Sequence, residues 1–250
     1  MEIPAAGDTG ILILEIMNGF EEEYITLRKK EHRLYGDDEV WLLPNVNPSH
    51  VHYREWKFRR RSAERLMQYL ERKCRDLNIL EVGCGNGWLS ATLAGNPRFL
   101  VTGTDINTIE LSQARRVFGD NKQLRFVFGD IRNNLFPQAC FDIIIFAASM
   151  QYFESLDEIM RPCALLLKHG GEVHILDTHF YKDENLSHAR NRTAVYYELE
   201  GAVGMTSYYF HHSLSELKNY HYNFLGGNNI IRKALGIESG LPWVCINNLK

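Results

Sequence analysis

The stretch that decides the fold is Ile79-Leu80-Glu81-Val82-Gly83-Cys84-Gly85-Asn86-Gly87-Trp88-Leu89-Ser90. It begins as an apolar run typical of a buried strand, and it passes through three alternating glycines into a helix-like segment. Glycine lets the backbone turn tightly and approach a ligand without a Cβ atom in the way. Because the first N–H groups of a helix lack partners within the helix, the stretch predicts a ligand site where the strand ends.

The glycine spacing indicates what kind of ligand this turn accepts. A dinucleotide-binding turn has the pattern G-x-G-x-x-G. Here Gly87 comes one position too early, and Trp88 stands where that pattern requires glycine. The acid Glu81 would repel a phosphate but attract a cationic amino group. The spacing therefore disfavours a pyrophosphate, and a plain tight turn without a ligand is the alternative.

Further strand and helix patterns alternate after this turn. Short runs rich in Val, Ile, Leu and Phe are typical of a parallel sheet that is buried on both faces. These runs cover residues 77–82, 98–104, 124–128, 141–147 and 172–176. A helix is predicted to start at the capping box of Ser155 and to end at Gly170-Gly171. Strand–helix alternation with right-handed crossovers predicts an α/β, doubly wound sheet.

Acidic residues follow the second and third predicted strands. Asp105 lies about twenty residues beyond the glycine turn, where an acid can accept hydrogen bonds from both hydroxyls of a ribose. Asp130 is followed by Ile131, a pair that could bind an adenine amino group while the side chain packs on the ring. The alternatives are that Asp105 only caps the next helix and that Asp130 is a turn residue.

Together these segments resemble the class I S-adenosylmethionine (SAM)-dependent methyltransferases, especially the type 11 or ubiquinone-methyltransferase group. The resemblance covers Leu77 to Asp177 and rests on five ordered motifs, at residues 81–87, 105, 129–131, 136–145 and 165–173. It implies SAM as the cofactor and a Rossmann-like, seven-stranded sheet with helices on both faces. Residues 220–225 and 243–247 would form the final antiparallel hairpin, with a turn at 226–229 and a short helical stretch between them.

The resemblance also implies which residues hold the cofactor. They come from the glycine turn, from the strand-end acids with their neighbours, and from the end of the fourth strand. The predicted cofactor-binding residues are Glu81, Gly83, Cys84, Gly85, Gly87, Asp105, Ile106, Asp130, Ile131, Ala147 and Ala148.

Catalytic residues are harder to predict, because methyl transfer depends mostly on orientation and desolvation. A base is needed only if the nucleophile carries a proton. Histidine titrates nearest neutrality, so His211 or His212 is preferred over His179 as a base. Adjacent residues of a strand point to opposite faces, so only one of the first two would face a pocket. Tyr152, after the fourth strand, is a third catalytic candidate; packing alone is the alternative role for each.

Other residues are predicted to contact the acceptor or to close over the site. They precede the first strand or follow the fourth and fifth: Tyr53, Trp56, Gln151, His179 and Tyr208. Residues 1–75 are polar and irregular, apart from a helix around Ala63 to Leu70, and are predicted to form a helical cap on a methyltransferase domain at 76–250. Residues 181–204 are expected to build part of the acceptor pocket. The run Arg59–Arg61 is expected to be solvated.

Composition limits the partners and the compartment. The 250 residues carry a formal net charge of −3, which argues against nucleic acid as a partner. The Asn/Asp-Pro-Pro-aromatic sequence of base-amine methyltransferases is absent after the fourth strand. The five cysteines form no CxxC pair, so neither a metal site nor disulfides are expected. Without a basic leader or a long apolar run, we expect a cytoplasmic protein that has no membrane span and is a monomer or homodimer.

The function predicted from the sequence is therefore SAM-dependent O- or C-methylation of a small molecule. Mixed aromatic and basic residues in the cap suit a planar, anionic or lipid-linked acceptor. One alternative is an NAD(P)-dependent oxidoreductase, which Trp88 disfavours. Another is a non-catalytic SAM-binding module, which the intact acids Glu81, Asp105 and Asp130 disfavour.

Overall fold

The computed structural model describes residues 7–226 and 242–249, with the side chains of the first helix described from Gly19 onward. The described strands are β1 (Leu77–Val82), β2 (Phe99–Asp105), β3 (Leu124–Phe128), β4 (Phe141–Ala147), β5 (Leu167–Leu176), β6 (Phe180–Tyr181), β7 (His212–Ser213), β8 (His221–Gly226) and β9 (Trp243–Asn247). The described helices are α1 (Gly7–Lys30), α2 (Asp37–Leu42), α3 (Tyr53–Glu71), α4 (Trp88–Leu93), α5 (Thr108–Phe118), α6 (Leu156–Leu166) and α7 (Leu186–Leu199).

Seven strands form one sheet in the order β3-β2-β1-β4-β5-β9-β8. The five strands from β3 to β5 are parallel, and β9 runs antiparallel to both β5 and β8. The chain order reverses between β1 and β4, where open α/β sheets bind ligands. The predicted seven-stranded, Rossmann-like sheet with its antiparallel end is confirmed. The helical stretch predicted between β8 and β9 lies outside the described residues.

Helices cover both faces of this sheet because the side chains of each strand alternate. On β4, Ile143 and Ile145 belong to one apolar core with Leu66 and Leu70 of α3. The intervening Ile144 belongs to a second core, which includes residues of α6 such as Ile159 and Cys163. Both cores consist of side chains that solvent hardly reaches. The predicted pattern of strands buried on both faces is thus confirmed.

Two local predictions are wrong. Helix α6 ends at Leu166, and Gly170-Gly171 lie inside β5 instead of ending the helix. The carbonyl groups of Leu165 and Leu166 accept hydrogen bonds from the chain before β4, which ties this segment to the sheet. The first 75 residues are also more regular than expected, since they contain the 24-residue α1 as well as α2 and α3.

Within the described part of the chain, no helix combines the length and the apolar character needed to cross a membrane.

Candidate active site

A cavity of about 550 Å³ lies over the carboxyl ends of β1, β2 and β4. Its floor is the sequence from Glu81 to Asn86, and its walls include the ends of β2 and β4. Helix α1 contributes Phe20 and Tyr24, and α3 contributes Trp56. The helices that precede the sheet in sequence therefore meet the sheet at the predicted ligand site.

Two of the three glycines in the turn have distinct reasons to be glycine. Gly83 has φ +73°, and a Cβ atom there would come within 2.5 Å of the Ser149 Cβ atom. Gly87 has φ +78°, and its Cβ would come within 2.5 Å of the Phe126 ring. Gly83 lines the cavity but Gly87 does not. Gly87 therefore serves close packing between the turn and β3, and the structure does not place it at the ligand site.

Three carboxyl groups surround the glycine turn. Glu81 is 2 % exposed and accepts a 2.5 Å hydrogen bond from the Ser90 hydroxyl. Asp105 accepts from the backbone N–H of Gly85 at 2.7 Å, which ties the end of β2 to the turn. Glu110, in the first turn of α5, also lines the cavity. The arrangement gathers carboxyl groups where a cationic ligand would bind.

Burial changes the protonation of these acids. Removal from solvent raises the pKa of Glu81 to about 8 and that of Glu110 to about 6. Burial also raises the pKa of Asp105, although backbone N–H groups partly offset it. Each carboxyl group therefore lacks a cationic partner strong enough to compensate for its burial. A ligand with an ammonium or sulfonium group would supply that compensation.

The third strand-end acid is held by a neighbour. Asp130 accepts hydrogen bonds from the backbone N–H and the guanidinium group of Arg132, at distances between 2.5 and 3.1 Å. Asp130, Ile131 and Arg132 all line the cavity. A carboxylate can accept several hydrogen bonds, so this ion pair leaves room for a ligand amino group.

The structure brings most of the predicted cofactor residues together around this cavity. Those that line it are Glu81, Gly83, Cys84, Gly85, Asp105, Ile106, Asp130, Ile131, Ala147 and Ala148. Gly87 is the exception described above. The site also fits SAM by its chemistry. The turn leaves no space for Cβ at Gly83, and the acids match a cationic amino group. The buried Nδ2 of Asn107, a cavity residue, has no acceptor among the residues that the structure describes.

A second cavity of about 350 Å³ adjoins the first. Both are lined by Ala148 and Tyr152, which follow β4, and by side chains of α1 and α3. Ala148 has φ +53°, and its backbone is held by a hydrogen bond from its N–H to Leu176 and by one from Gln151 Nε2 to its carbonyl. Helix α7 closes the far side with Arg192, Thr193, Tyr196 and Tyr197.

The three catalytic candidates occupy different environments. Tyr152 lies where the two cavities meet, and burial raises the pKa of its phenol. His211 lines neither cavity, but its Nε2 lies 2.9 Å from the hydroxyl of the cavity residue Thr193. His212 is 1 % exposed, and its ring nitrogens face the Met150 carbonyl and the Glu216 carboxylate. His212 is therefore packed inside the protein. Of the three candidates, Tyr152 alone lines the two cavities.

Of the five residues predicted to face the acceptor or to close the site, three line a cavity and two do not. Trp56 and Tyr208 line the first cavity, and Gln151 lines the second. Tyr53 and His179 line neither cavity. His179 instead is exposed and packs against Tyr181. Residues 181–204 reach the second cavity through α7.

The sequence did not predict that α1 lines the first cavity, or that Arg59 lines both cavities. Phe20, Tyr24 and Arg28 line the first cavity at i, i+4 and i+8, a spacing that places them on one helix face. That spacing was visible in the sequence. Arg59 lines both cavities, although its run was expected to be solvated. Glu110 could not be predicted as a cavity residue, because acids are common in the first turn of a helix.

Away from these cavities, Glu172, His174 and Cys245 have possible metal-binding atoms within 4.8 Å of one another. The Trp243 indole N–H donates to His174 Nδ1, so the ring proton lies on Nε2 and points to Glu172. Lys73 donates to the same carboxylate at 2.8 Å. A protonated Nε2 offers no lone pair to a metal. The cluster is therefore a hydrogen-bond network between α3 and the sheet.

Comparison with known proteins gives a family for this geometry. Residues 79–171 match a family model described as a methyltransferase domain. The match begins in β1 and ends in β5, and it contains the glycine turn and all three strand-end acids. It coincides closely with the segment that the sequence motifs identified.

Curated relatives share this part of the chain. One is malonyl-[acyl-carrier protein] O-methyltransferase 1 of Ilyobacter polytropus, 28 % identical over 112 residues, covering 44 % of this chain and 41 % of the relative. Another is the sterol 24-C-methyltransferase erg-4 of Neurospora crassa, 27 % identical over 189 residues, covering 70 % and 48 %. The chain spans less than half the length of either relative.

A solved structure supports the fold. The YcgJ protein of Bacillus subtilis aligns with a TM-score of 0.56 and 18 % identity, over 75 % of this chain and 95 % of that one. The comparisons favour a methyltransferase over the oxidoreductase alternative. The part of the chain that carries the glycine turn and its acids is therefore similar to the methyltransferase domain of these enzymes.

Proposed function

We propose that this chain transfers a methyl group from SAM to a small-molecule acceptor, at oxygen or carbon. The observation that carries the proposal is the pair of adjoining cavities that meet at Ala148 and Tyr152. The first cavity has the glycine turn and the acids of a cofactor site, and the second is large enough for a small acceptor. An acceptor placed there would lie directly beside the cofactor.

The proposed cofactor site uses the residues around the glycine turn. When bound, SAM supplies a methyl group activated by a sulfonium, and its loss leaves a neutral thioether. Glu81 and Glu110 would bind the cationic part of the ligand, and Asp105 would accept from the ribose hydroxyls. Asp130 and Ile131 would hold the adenine. Gly83 allows the backbone to approach the ligand because no Cβ intervenes.

On the acceptor side, the chain's own residues orient the nucleophile and exclude water. Tyr152 stays protonated at neutral pH, because burial raises the pKa of its phenol. We therefore assign it a hydrogen-bond donor or positioning role instead of that of a base. His211 would act through Thr193, as a positioning residue. Orientation of this kind can supply most of the acceleration of an in-line displacement.

Residues 1–75 would serve as the cap of the site. Glu21 of α1 accepts from the backbone N–H and the hydroxyl of Thr108, at the start of α5. At the other end of the helix, Lys30 donates to the carbonyls of Glu200 and Gly201. Helix α1 thus bridges the sheet domain and the region after α7, above both cavities. We propose that this bridge excludes water from the bound reactants.

The proposal extends to partners and location. The formal charge of −3 supports a small molecule instead of nucleic acid as the acceptor. We propose a cytoplasmic enzyme that acts as a monomer or homodimer. Size-exclusion chromatography with light scattering measures the assembly state directly.

Two measurements test the activity. Thermal shift with S-adenosylhomocysteine and with NAD compares the cofactors, and we expect stabilisation by the first alone. Transfer of isotope-labelled methyl groups from SAM to a library of phenols, carboxylic acids and enolisable carbonyl compounds then identifies the acceptor class. Tyr152→Phe should reduce transfer without changing the affinity for S-adenosylhomocysteine. Stabilisation by NAD alone would overturn the proposal.

A further inference from the structure

The second cavity contains more positive than negative charge. Among the described residues, its lining includes four arginines, Arg28, Arg33, Arg59 and Arg192, and two glutamates, Glu31 and Glu55. The first cavity instead gathers carboxyl groups around its glycine turn, from Glu81, Asp105 and Glu110. Three of the four arginines line the first cavity too, so Arg192 is the one confined to the second.

The pairing inside the second cavity leaves two arginines available. Glu55 pairs with Arg33 at 2.6 Å and with Arg59 at 2.9 Å. Burial alone would raise the pKa of Glu55, but Arg59 and Arg33 outweigh it and lower that pKa to about 2. Glu31 pairs with Arg33 at 3.1 Å. These two carboxylates are thus committed to neighbouring arginines.

Arg28 and Arg192 are less engaged than the other two arginines. The Arg28 guanidinium donates from Nε to the Tyr24 hydroxyl, and its Nη1 forms a long ion pair of 3.8 Å with Glu31. Arg192, on the exposed face of α7, forms no ion pair or hydrogen bond with any residue that the structure describes. Arg192 can therefore donate its guanidinium to a ligand, and Arg28 can add to it because its ion pair with Glu31 is long.

The phenols of the cavity do not cancel this charge. Burial raises the pKa values of Tyr24, Tyr152, Tyr197 and Tyr209, so these side chains are neutral at physiological pH. They contribute flat apolar surface and hydroxyl donors instead. A neutral aromatic wall beside the guanidinium groups of Arg192 and Arg28 matches a ligand that has an unsaturated body and an anionic end.

We infer that the acceptor carries an anionic oxygen group, specifically a carboxylate, and that Arg192 and Arg28 bind it in the second cavity. The planar fork of a guanidinium matches the two oxygens of a carboxylate. This inference rests on the proposed function, because it names the acceptor class of that site. Arg192 lines only the second cavity, so its contribution is separable from cofactor binding.

Calorimetric titration of the protein saturated with S-adenosylhomocysteine tests the inference. The probes are benzoate and 3-phenylpropionate, each compared with its neutral amide, and phenyl phosphate. We expect each carboxylate to bind at least about tenfold more tightly than its amide, as charge-assisted hydrogen bonds require. Tighter binding of phenyl phosphate than of both carboxylates would assign the site to phosphate and overturn the carboxylate specificity.

Arg192→Gln and its matched control Arg190→Gln complete the experiment. Arg190 lies on the same helix and is exposed, but it lines neither cavity. Arg192→Gln should weaken carboxylate binding about threefold, the range of an exposed ion pair, and leave amide binding unchanged. Arg190→Gln should change neither. Equal weakening by the two variants, or no saturable binding of either carboxylate, would overturn the inference.

The same titrations separate this inference from the proposed function. Failure to bind S-adenosylhomocysteine, with carboxylate binding still dependent on Arg192, would refute the methyltransferase proposal and keep the anion site. Tight binding of S-adenosylhomocysteine, with equal affinities for acid and amide, would refute the anion site alone.

Discussion

At the scale of single residues, the site is defined by acids that are buried without cationic partners. Asp105 is the best placed of them, because one oxygen accepts from Gly85 and the other from Asn107, which fixes the carboxylate at the cavity edge. The remaining lone pairs of these oxygens are available to a ligand. Position and residual hydrogen-bonding capacity together make Asp105 the strongest test of the cofactor site.

We expect Asp105→Ala to weaken SAM binding at least tenfold, about 1.4 kcal/mol, because two hydroxyl partners lose a charged acceptor. Calorimetry with S-adenosylhomocysteine measures the change. Asp120→Ala, at an exposed position that does not line the first cavity, serves as the control and should bind normally. An unchanged affinity of Asp105→Ala would remove this residue from the ribose site.

Glu81 gives a prediction on pH. Its folded-state pKa of about 8 lies above the ordinary glutamate value, so the ligand-free protein should lose stability as pH rises from about 4.5 to 8. Glu81→Gln removes this titration. The variant should gain at least about 1.4 kcal/mol relative to the wild type at pH 8, and nothing at pH 4, while binding SAM less tightly. Urea unfolding at several pH values measures the difference, which a pH-independent offset would contradict.

At the scale of elements, the strand–turn–helix unit depends on close approach of neighbouring elements. The turn after β1 packs so tightly on β3 and α5 that Gly87 has room only for hydrogen. The glycines of this turn have two different roles. Gly83 and Gly85 line the cavity, and Gly87 allows close packing against β3 and α5. The cost of a left-handed backbone at Gly87 and the cost of a clash with its neighbours can be measured separately by comparing glycine variants.

Gly87→Ala should destabilise the protein by about 2–4 kcal/mol, because it combines a left-handed backbone with a clash against Phe126. Gly170→Ala has a similar φ of +73° but open space around its Cβ, so it should cost only about 1 kcal/mol. Gly36→Ala has neither problem and should change little. Thermal and denaturant unfolding rank the three variants. Equal losses for Gly87→Ala and Gly170→Ala would show that the clash is relieved.

At the scale of the whole molecule, α3 connects the helices over the cavity to the antiparallel end of the sheet. Tyr69 of α3 and Lys73, which follows it, donate to Glu172 on β5, and His174 links the same carboxylate to Trp243 on β9. The network therefore ties the N-terminal helices to the antiparallel end of the sheet. Such a buried network makes folding sensitive to the charge of a single carboxylate.

Acid should weaken this connection. Burial alone would raise the pKa of Glu172, but His174 and Lys73 outweigh it and lower the pKa to about 2. The ionised group therefore stabilises the fold above about pH 4.5, and that contribution is lost as pH falls towards 2. Glu172→Gln should be about 1–3 kcal/mol less stable than wild type at pH 7, with a gap that narrows at pH 3.

The exposed Glu64→Gln on the same helix as Tyr69 is the control for Glu172→Gln and should behave as wild type. Denaturant unfolding at pH 7, 5 and 3 provides the comparison. A gap between Glu172→Gln and wild type that stays constant with pH would mean that ionisation of Glu172 is not what stabilises the connection.

Local patterns predicted the sheet well because they involve neighbours in sequence. The runs at 77–82, 124–128, 141–147 and 243–247 agree with the observed strands. The cap predicted at Ser155 also forms, since its side-chain hydroxyl accepts from the backbone N–H of Glu158. The end of α6 was misplaced because pairing of its last carbonyls with the chain before β4 outweighs the local glycine signal.

By itself, the sequence determined the fold class, the resemblance to methyltransferases and most of the first cavity, because a glycine turn and strand-end acids act through local backbone geometry. Only the tertiary structure decided the second cavity. Arg28, Arg59 and Arg192 are far apart in sequence, and they line one space because α1, α3 and α7 converge above β4. The roles of His212 and Gly87 also depended on long-range packing. Burial and contact between distant segments have no signature in a local pattern, and they set the charge of the second cavity.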